Sequence, residues 1–313
     1  MQEIEHFWDG KKWNGPITDG HMHLDRKGRC IDAALDFERS GGTRLILVHK
    51  PNFSQLPENI DDISNAYSET LSIANEVREL TNIQVQVILG PHPVVWSHQI
   101  ELLGEKIATE LHLASVDLAL EFFELGECVG IGEIGRPHFP VSEEIWNSAN
   151  RMLKEILKRC GRYNAPVQFH LEDRGSITCH EIHEICIRAN YPQSIALRHY
   201  APADVSPTFT SGLPVTVSMG RGSVEKIAMT VDVDLLLKEN HPPVLMETDY
   251  LDDPKRPGAV LGPRTIAKRT NELGKYLQTP AEGGGMGWER SKIAAFLWNI
   301  HQVWPDRLYG EYR

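Results

Sequence analysis

The sequence predicts an α/β protein, folded as a (β/α)8 TIM barrel with a C-terminal helix. Eight short apolar runs alternate with longer segments of helical periodicity, a pattern typical of parallel βα units. Polar or titratable residues end at least six of these runs. An open doubly wound sheet also accommodates eight parallel strands, but it places its chemistry at one crevice. A closed barrel brings every strand end to one rim, so the barrel is favoured.

The predicted strands recur along most of the chain. In order, they cover residues 17–24, 43–49, 83–89, 128–134, 165–170, 194–199, 213–219 and 244–248.

The clearest predicted helix covers residues 142–163. Ser142 precedes two glutamates of the first turn, and Met152 and Ile156 belong to an apolar face at helical spacing. A second helix is predicted at 60–80. A third helix is predicted at 104–125, and its apolar face is interrupted by His112, Asp117 and Glu121. The connection at 206–212 is predicted to be short or irregular, and a final helix is predicted at 288–303.

Composition places the chain among ordinary globular proteins. Of its 313 residues, 41% are hydrophobic and 24% charged, so there is enough apolar material for one large core. Segments 253–263 and 279–287 are rich in proline and glycine and predict loops. Neither segment resembles a domain boundary, and we expect residues 1–313 to form a single domain.

Cellular location and redox state are predicted from what the sequence lacks. The first 15 residues carry no apolar stretch of the signal-peptide kind. No run approaches the roughly 20 apolar residues of a membrane span, so we expect a soluble, cytoplasmic protein with no membrane partner. The five cysteines are odd in number and show no CxxC spacing, which favours reduced thiols over disulfides or a zinc knot.

Net charge limits the choice of partner. The formal charge of −11 argues against a broad basic face for nucleic acid. A nuclease that grips only a strand end needs few contacts, and bound divalent cations would themselves attract phosphate. A DNA end or a small molecule therefore remains as the predicted substrate, while the oligomeric state is not indicated.

The predicted strand ends carry a set of metal-ligand residues. His21 and His23 are one residue apart on a strand, so both point to the same face and can share a cation. Glu133 ends the fourth run between glycines, which allow other groups to approach closely. The other three candidates end the fifth, sixth and eighth runs, and they are His170, His199 and Asp249.

This mixed nitrogen and oxygen set suits zinc, manganese or magnesium. Six ligands exceed the three or four of one catalytic zinc, so we expect two divalent ions bridged by Glu133. A bridging hydroxide would then be the nucleophile, and Asp249 would orient it and accept its proton. The second ion would polarise the scissile P=O or C=O group.

At these positions the sequence resembles the TatD-related family of the amidohydrolase superfamily of metal-dependent hydrolases. The resemblance is carried by segments 17–25, 90–93 and 130–135, by two later histidines and by 247–249. It implies a (β/α)8 barrel and phosphodiester hydrolysis of DNA. It further implies that His21, His23 and Asp249 hold one metal, that His170 and His199 hold the other, and that Glu133 lies between them.

The resemblance also identifies substrate contacts. His92 in the Gly-Pro-His-Pro segment is similar to the family histidine near the substrate phosphate, although it also fits a turn before Pro93. After the fourth run, Arg136 and Pro137 stand where the family has Leu and Asp. Arg136 is either a replacement contact to phosphate or a solvated loop residue.

The rim of the predicted site departs from the family elsewhere as well. Glu172 and Asp173 follow the fifth run and would repel a polyanion if they faced the pocket. His49 and Lys50 end the second run and are further rim candidates. These departures leave open a rival function, which is the hydrolysis of a small ester, lactone or amide. A third hypothesis is that the barrel is a non-enzymatic binding scaffold.

Overall fold

The computed structural model describes residues 4–256 and 260–311. Eight parallel strands follow one another in chain order around a single sheet. They are β1 (Thr18–Met22), β2 (Arg44–Val48), β3 (Gln84–Leu89), β4 (Gly130–Gly135), β5 (Val167–His170), β6 (Ala196–Ala201), β7 (Val215–Ser218) and β8 (Val244–Glu247). The predicted (β/α)8 barrel and its eight strands are confirmed.

The barrel closes between its first and last strands. The Asp249 amide donates to the His21 carbonyl at 3.0 Å, and the His23 amide donates to the Tyr250 carbonyl at 2.8 Å. Each of these pairs joins the carboxyl end of β1 to the segment just after β8. Backbone hydrogen bonds therefore join the two predicted metal-binding segments, the end of β1 and the segment after β8.

Helices surround the barrel. They are α1 (Ile31–Arg39), α2 (Ile60–Leu80), α3 (Pro93–Leu103), α4 (Glu105–Glu124), α5 (Glu143–Arg162), α6 (Ser176–Ala189), α7 (Pro207–Thr210), α8 (Ser223–Thr230), α9 (Val233–Leu237), α10 (Thr265–Gln278), α11 (Arg290–Trp298) and α12 (Trp304–Tyr309). Within the described ranges no helix is long and apolar enough to cross a membrane. The cytoplasmic location stays a prediction.

The helices predicted at 60–80, 104–125 and 142–163 are confirmed within two residues. Ser142 caps α5 by accepting from the Ile145 amide, and Met152 and Ile156 are buried against the barrel. Such a cap satisfies one of the free amides of the first turn. The weak connection at 206–212 contains only the single turn α7. Part of the predicted loop 253–263, residues 257–259, lies outside the described residues.

The C-terminal helix is longer and more irregular than predicted. Between α11 and α12 the chain forms a π-helical turn, Asn299–Val303. His301 within it accepts from the Thr18 amide through Nδ1 at 3.1 Å, and its Nε2 lies 2.9 Å from Thr270 Oγ1. Because Thr18 opens β1, this buried histidine anchors the C-terminal segment to the first strand of the barrel.

Candidate metal centre

All six predicted metal ligands converge at the carboxyl ends of the strands, and His92 joins them. The residues come from five strand ends and from the cap of α3. Glu133 lies at the centre, since its two carboxylate oxygens face different histidines. The structure thus brings together residues that are far apart in sequence, as the barrel predicts.

One half of the cluster surrounds Glu133 Oε2. The Nε2 atoms of His21 and His23 lie 3.1 Å apart, and their distances to Glu133 Oε2 are 3.8 and 3.5 Å. Asp249 Oδ1 is 3.8 Å from each Nε2. Two ligands of a tetrahedral zinc, each at about 2.1 Å, are separated by about 3.4 Å. The two histidines together with Glu133 therefore have spacings close to those that a divalent cation requires, and Asp249 lies within reach of both histidines.

The far side of each histidine in this half is fixed. His21 Nδ1 lies 2.7 Å from Gln168 Oε1, and His23 Nδ1 lies 2.9 Å from the Val48 carbonyl. Both partners are acceptors, so each Nδ1 carries the proton and each Nε2 presents its lone pair to the centre. Metal-binding histidines are held in this way in most proteins, which makes these residues a good fit for a metal.

The other half of the cluster surrounds Glu133 Oε1. His170 Nδ1 and His199 Nε2 each lie 2.9 Å from this oxygen, and His92 Nε2 lies 3.9 Å from it. The residues of this half offer three nitrogens and one oxygen to a second ion. Glu133 is accordingly able to bridge two positions.

The ligands are not divided quite as the resemblance implies. The ring of His199 stacks on that of His21 with centroids 4.0 Å apart, and His199 forms a compact donor group with His21 and Asp249. His92 forms the corresponding group with Glu133 and His170. His199 thus stands between the two halves, and His92 belongs among the potential ligands.

Electrostatics prepare the cluster for cations. Burial lowers the pKa of His23, and it lowers the pKa values of His21 and His92 well below the ordinary range, so these rings are neutral. Burial also acts on Glu133, but the adjacent histidines, His199 first, outweigh it and hold its pKa well below the usual value. Neutral imidazoles and an ionised carboxylate are the forms that bind metal.

His199 is the exception among these histidines. Burial opposes its protonation, but the carboxylates of Glu247 and Glu133 outweigh burial and raise its pKa well above the ordinary value. Its Nδ1 lies 3.3 Å from Glu247 Oε1. A cation at Nε2 would displace the proton there, while the nearby Glu247 carboxylate would still favour a proton on Nδ1.

Backbone geometry places Glu133 and Asp249. Asp249 has a φ of 49°, in the left-handed region that aspartate tolerates better than most residues. Beside Glu133, a side chain on Gly132 would bring its Cβ within 2.9 Å of Gln168 Cβ. Gly135 has a φ of 153° and lies so close to β5 that an added Cβ would meet the His170 carbonyl oxygen at 2.0 Å. The predicted role of these glycines in close approach is confirmed.

Two supporting residues, Gln168 and Glu247, were missed from the sequence. Gln168 is fully buried and also donates to the Gly20 carbonyl at 3.2 Å and to the Tyr309 hydroxyl at 2.7 Å. Glu247 accepts from the Tyr200 amide at 2.8 Å. The available signal was a polar residue inside an otherwise apolar strand, which requires a buried partner.

Arg136 is neither a solvated loop residue nor a free contact for phosphate. Its side chain is 1% exposed and stacks on Trp146, with 4.4 Å from Cζ to the ring centroid. Its Nε donates to Glu172 at 3.1 Å, and Nη1 donates to Glu181 at 2.9 Å and to Asn150 at 3.1 Å. These acceptors occupy the guanidinium, so Glu172 faces Arg136 and is itself neutralised.

The other rim candidates are also engaged. Asp173 lies 3.0 Å from Arg198 Nη2. Lys50 Nζ lies 2.8 Å from Asp25 Oδ2. His49 Nδ1 lies 2.9 Å from Thr70 Oγ1, and burial lowers its pKa to about 4. None of these residues belongs to the metal-ligand cluster.

His138 is a rim residue that sequence reasoning did not single out. Its Nδ1 lies 2.6 Å from His170 Nε2. His170 is therefore held between Glu133 on one side and His138 on the other.

The chain is similar in sequence to known proteins. The family model described as TatD related DNase matches residues 18–283. The uncharacterized protein MJ1127 of Methanocaldococcus jannaschii is 27% identical over 261 residues, which cover 82% of this chain and 87% of that protein.

Solved structures share the fold. YJJV, a TatD homolog of Escherichia coli K12, aligns with a TM-score of 0.60 and 18% identity, over 94% of this chain and 98% of that one. A hydrolase TatD family protein from Entamoeba histolytica aligns with a TM-score of 0.61 and 13% identity, over the same shares of the two chains.

Proposed function

We propose that this chain, a hydrolase that belongs to the TatD related DNase family, cleaves phosphodiesters with two divalent metal ions, zinc, manganese or magnesium. The observation that carries the proposal is the pair His21 and His23, whose Nε2 atoms face Glu133 and Asp249 while both Nδ1 atoms are fixed from behind. A DNA end is the candidate substrate that the family description supports.

The protein supplies a preassembled set of donors. When bound, the ions would lower the pKa of water and polarise the scissile P=O group. Glu133 stands between the two halves of the cluster and, being ionised, offers one oxygen to each. Gln168 and the Val48 carbonyl keep His21 and His23 in a single tautomer, so both Nε2 lone pairs already face the site before a metal binds.

Asp249 is the proposed proton acceptor. Its Oδ1 lies 3.8 Å from both His21 Nε2 and His23 Nε2, and its backbone is tied to the His21 carbonyl. Burial raises the pKa of Asp249 well above its ordinary value, and bound cations would favour its ionised form. The carboxylate would then orient the attacking water and take its proton. Glu133, in contrast, offers one carboxylate oxygen to each half of the site.

Three cationic side chains near the site are already paired, which weakens the case for a long polyanion. Within the described ranges, Arg136, Arg198 and Lys50 all face carboxylates, which leaves them little capacity for phosphate. This pairing also gives specific support to a second candidate function, the hydrolysis of a small ester, lactone or amide at the same centre.

A substrate panel tests the two candidates. The metal-loaded protein should hydrolyse bis(p-nitrophenyl) phosphate and release nucleotides from single-stranded DNA in the presence of manganese, zinc or magnesium, and a chelator should abolish both activities. Turnover of lactones alone would replace the first candidate by the second. A chain with no tightly associated metal and no turnover of any substrate would instead be a binding scaffold.

A further inference from the structure

A cavity of about 320 Å³ lies beside the metal centre, beneath the loop that joins β2 to α2. Its other walls come from α2, from α3 and from α4. His92 lines the cavity while its Nε2 lies 3.9 Å from Glu133 Oε1. The cavity is thus connected to the metal centre by a shared side chain, and its volume falls within the range of small-molecule sites. We refer to it as the His112 cavity.

His112 on α4 is the unusual group in this cavity. The residue is 1% exposed, and neither ring nitrogen has a hydrogen-bond partner within residues 4–256 and 260–311. Burial lowers its pKa to about 3, so at neutral pH the ring offers one donor and one acceptor. Buried polar groups in proteins are almost always satisfied, which indicates that a ligand or water completes this one.

The other buried polar groups of the wall already have partners. The Tyr67 hydroxyl donates to the Ser115 carbonyl at 3.4 Å, and Ser115 Oγ donates to the Leu111 carbonyl at 2.7 Å. Gln99 Nε2 donates to the Pro57 carbonyl at 2.6 Å. His112 is therefore the group that remains available to a bound molecule.

The character of the lining selects against anions. Leu56, Ile63 and Val95 supply apolar surface, and the described lining contains neither lysine nor arginine. Its carboxylate, Asp62, is exposed and accepts from the Glu58 amide at 3.0 Å. A phosphate in the cavity would have no counter-charge, whereas an uncharged ring would meet apolar walls and one unsatisfied imidazole.

We infer that the His112 cavity binds an uncharged, ring-sized organic group that carries a hydrogen-bond donor and an acceptor, with His112 as its recognition residue. Because His92 is shared with the metal centre, this group is one arm of the substrate whose scissile bond lies there, a step that rests on the proposed hydrolysis. Small substrates with one neutral cyclic arm are thereby selected over a continuous polyanion.

Benzamide is a suitable probe, since it is neutral and its amide offers one acceptor and a donor. Its binding to the metal-loaded full chain is measured by saturation-transfer NMR. His112→Phe keeps a ring of similar size and removes both nitrogens without breaking a hydrogen bond to the described residues. His180→Phe, at an exposed position of α6, is the matched control.

We expect His112→Phe to weaken benzamide binding by about tenfold, as the loss of a buried hydrogen bond does, while His180→Phe leaves it unchanged. Benzamide should also inhibit hydrolysis of bis(p-nitrophenyl) phosphate competitively, and less strongly in His112→Phe. Equal affinity in both variants, or no binding to the unmodified chain, overturns the inference and assigns water to the cavity.

Two further outcomes separate the inference from the proposed function. Binding that depends on His112, in a metal-loaded chain that hydrolyses no substrate of the panel, would support the cavity assignment and contradict the proposed hydrolysis. Binding without inhibition, in a chain that does turn over the phosphodiester, would overturn the link between the cavity and the substrate.

Discussion

The metal centre and the His112 cavity both contain buried neutral histidines, but the two regions differ in the hydrogen-bond partners of those rings. In the metal centre, Gln168 and the Val48 carbonyl fix the far nitrogens of His21 and His23, so each ring presents one defined lone pair. In the cavity, His112 has no such partner in the described parts of the chain. The first arrangement is preassembled for a cation, whereas the second leaves its donor and acceptor for a ligand. Substitutions should therefore alter chemistry in one region and substrate choice in the other.

The largest effect is expected from Asp249→Asn in the metal centre. The amide can still contribute an oxygen to the cluster but no longer accepts a proton, so kcat should fall by about 10²–10⁴-fold while metal remains bound. Steady-state kinetics and metal analysis of the same sample check both parts. Asp234→Asn, an exposed position on α9, is the control and should behave as the unmodified chain does. Unchanged turnover in Asp249→Asn would contradict the assigned role.

Arg136→Met tests whether the rim after β4 is structural. Removing one partner of a buried ion pair should lower the free energy of unfolding by about 3 kcal/mol, with kcat/KM of the folded protein nearly unchanged. Arg174 contacts the same two carboxylates, Glu172 and Glu181, from a side chain that is 44% exposed. Arg174→Met should therefore cost less than about 1 kcal/mol.

Urea unfolding and phosphodiester kinetics of both variants provide the measurement. If Arg136→Met kept its stability but lost kcat/KM by about tenfold or more, a phosphate contact would be the better assignment for this residue.

Gln168→Leu removes the acceptor behind His21. Loss of such a partner typically weakens metal affinity or activity by about 10–100-fold, and competition with a chromogenic chelator measures the affinity. Gln86→Leu is the matched control, because Gln86 is also a buried barrel glutamine but donates to the Tyr309 and Gly310 carbonyls instead. A comparable loss of metal in both variants would show that general destabilisation, and not orientation of His21, is the cause.

Near neutral pH the smallest effect is expected from His112, whose contribution to stability appears only as the pH falls. Its pKa is lowered to about 3 by burial, against about 6.5 in an unfolded chain. Between these values only the unfolded chain takes up the proton, so stability falls as pH falls, by up to about 1.4 kcal/mol per pH unit. His112→Phe should remove this contribution, and stability above pH 6.5 should be equal or higher. Urea unfolding at several pH values measures this difference. If the free energy of unfolding changed equally with pH in the two proteins, the prediction would be wrong.

Much of the fold followed from the sequence because barrel strands are buried on both faces and therefore read as apolar runs. All eight runs are strands, although β4 and β6 extend one or two residues beyond their predicted ends. Periodicity could not show the π-helical turn Asn299–Val303, because its geometry depends on the contacts of His301 with β1 and α10.

The ligand residues were identifiable because each ends a strand, and the barrel geometry then brings them together. Their partners Gln168 and Glu247 were not identified, because a polar residue inside an apolar strand indicates a buried partner without showing which residue that partner is. Arg136 shows the same limitation, because a loop arginine reads as solvated until its carboxylates are located. His112 interrupts an apolar helical face in the sequence, but the sequence does not show that this residue lines a cavity.

The most direct test of the metal-dependent mechanism is a titration of the chelator-treated protein with manganese, followed by hydrolysis of bis(p-nitrophenyl) phosphate. We predict no activity without metal and a rise that ends at two equivalents per chain, because Glu133 presents one oxygen to each half of the cluster. Full activity in the metal-free protein would contradict the account.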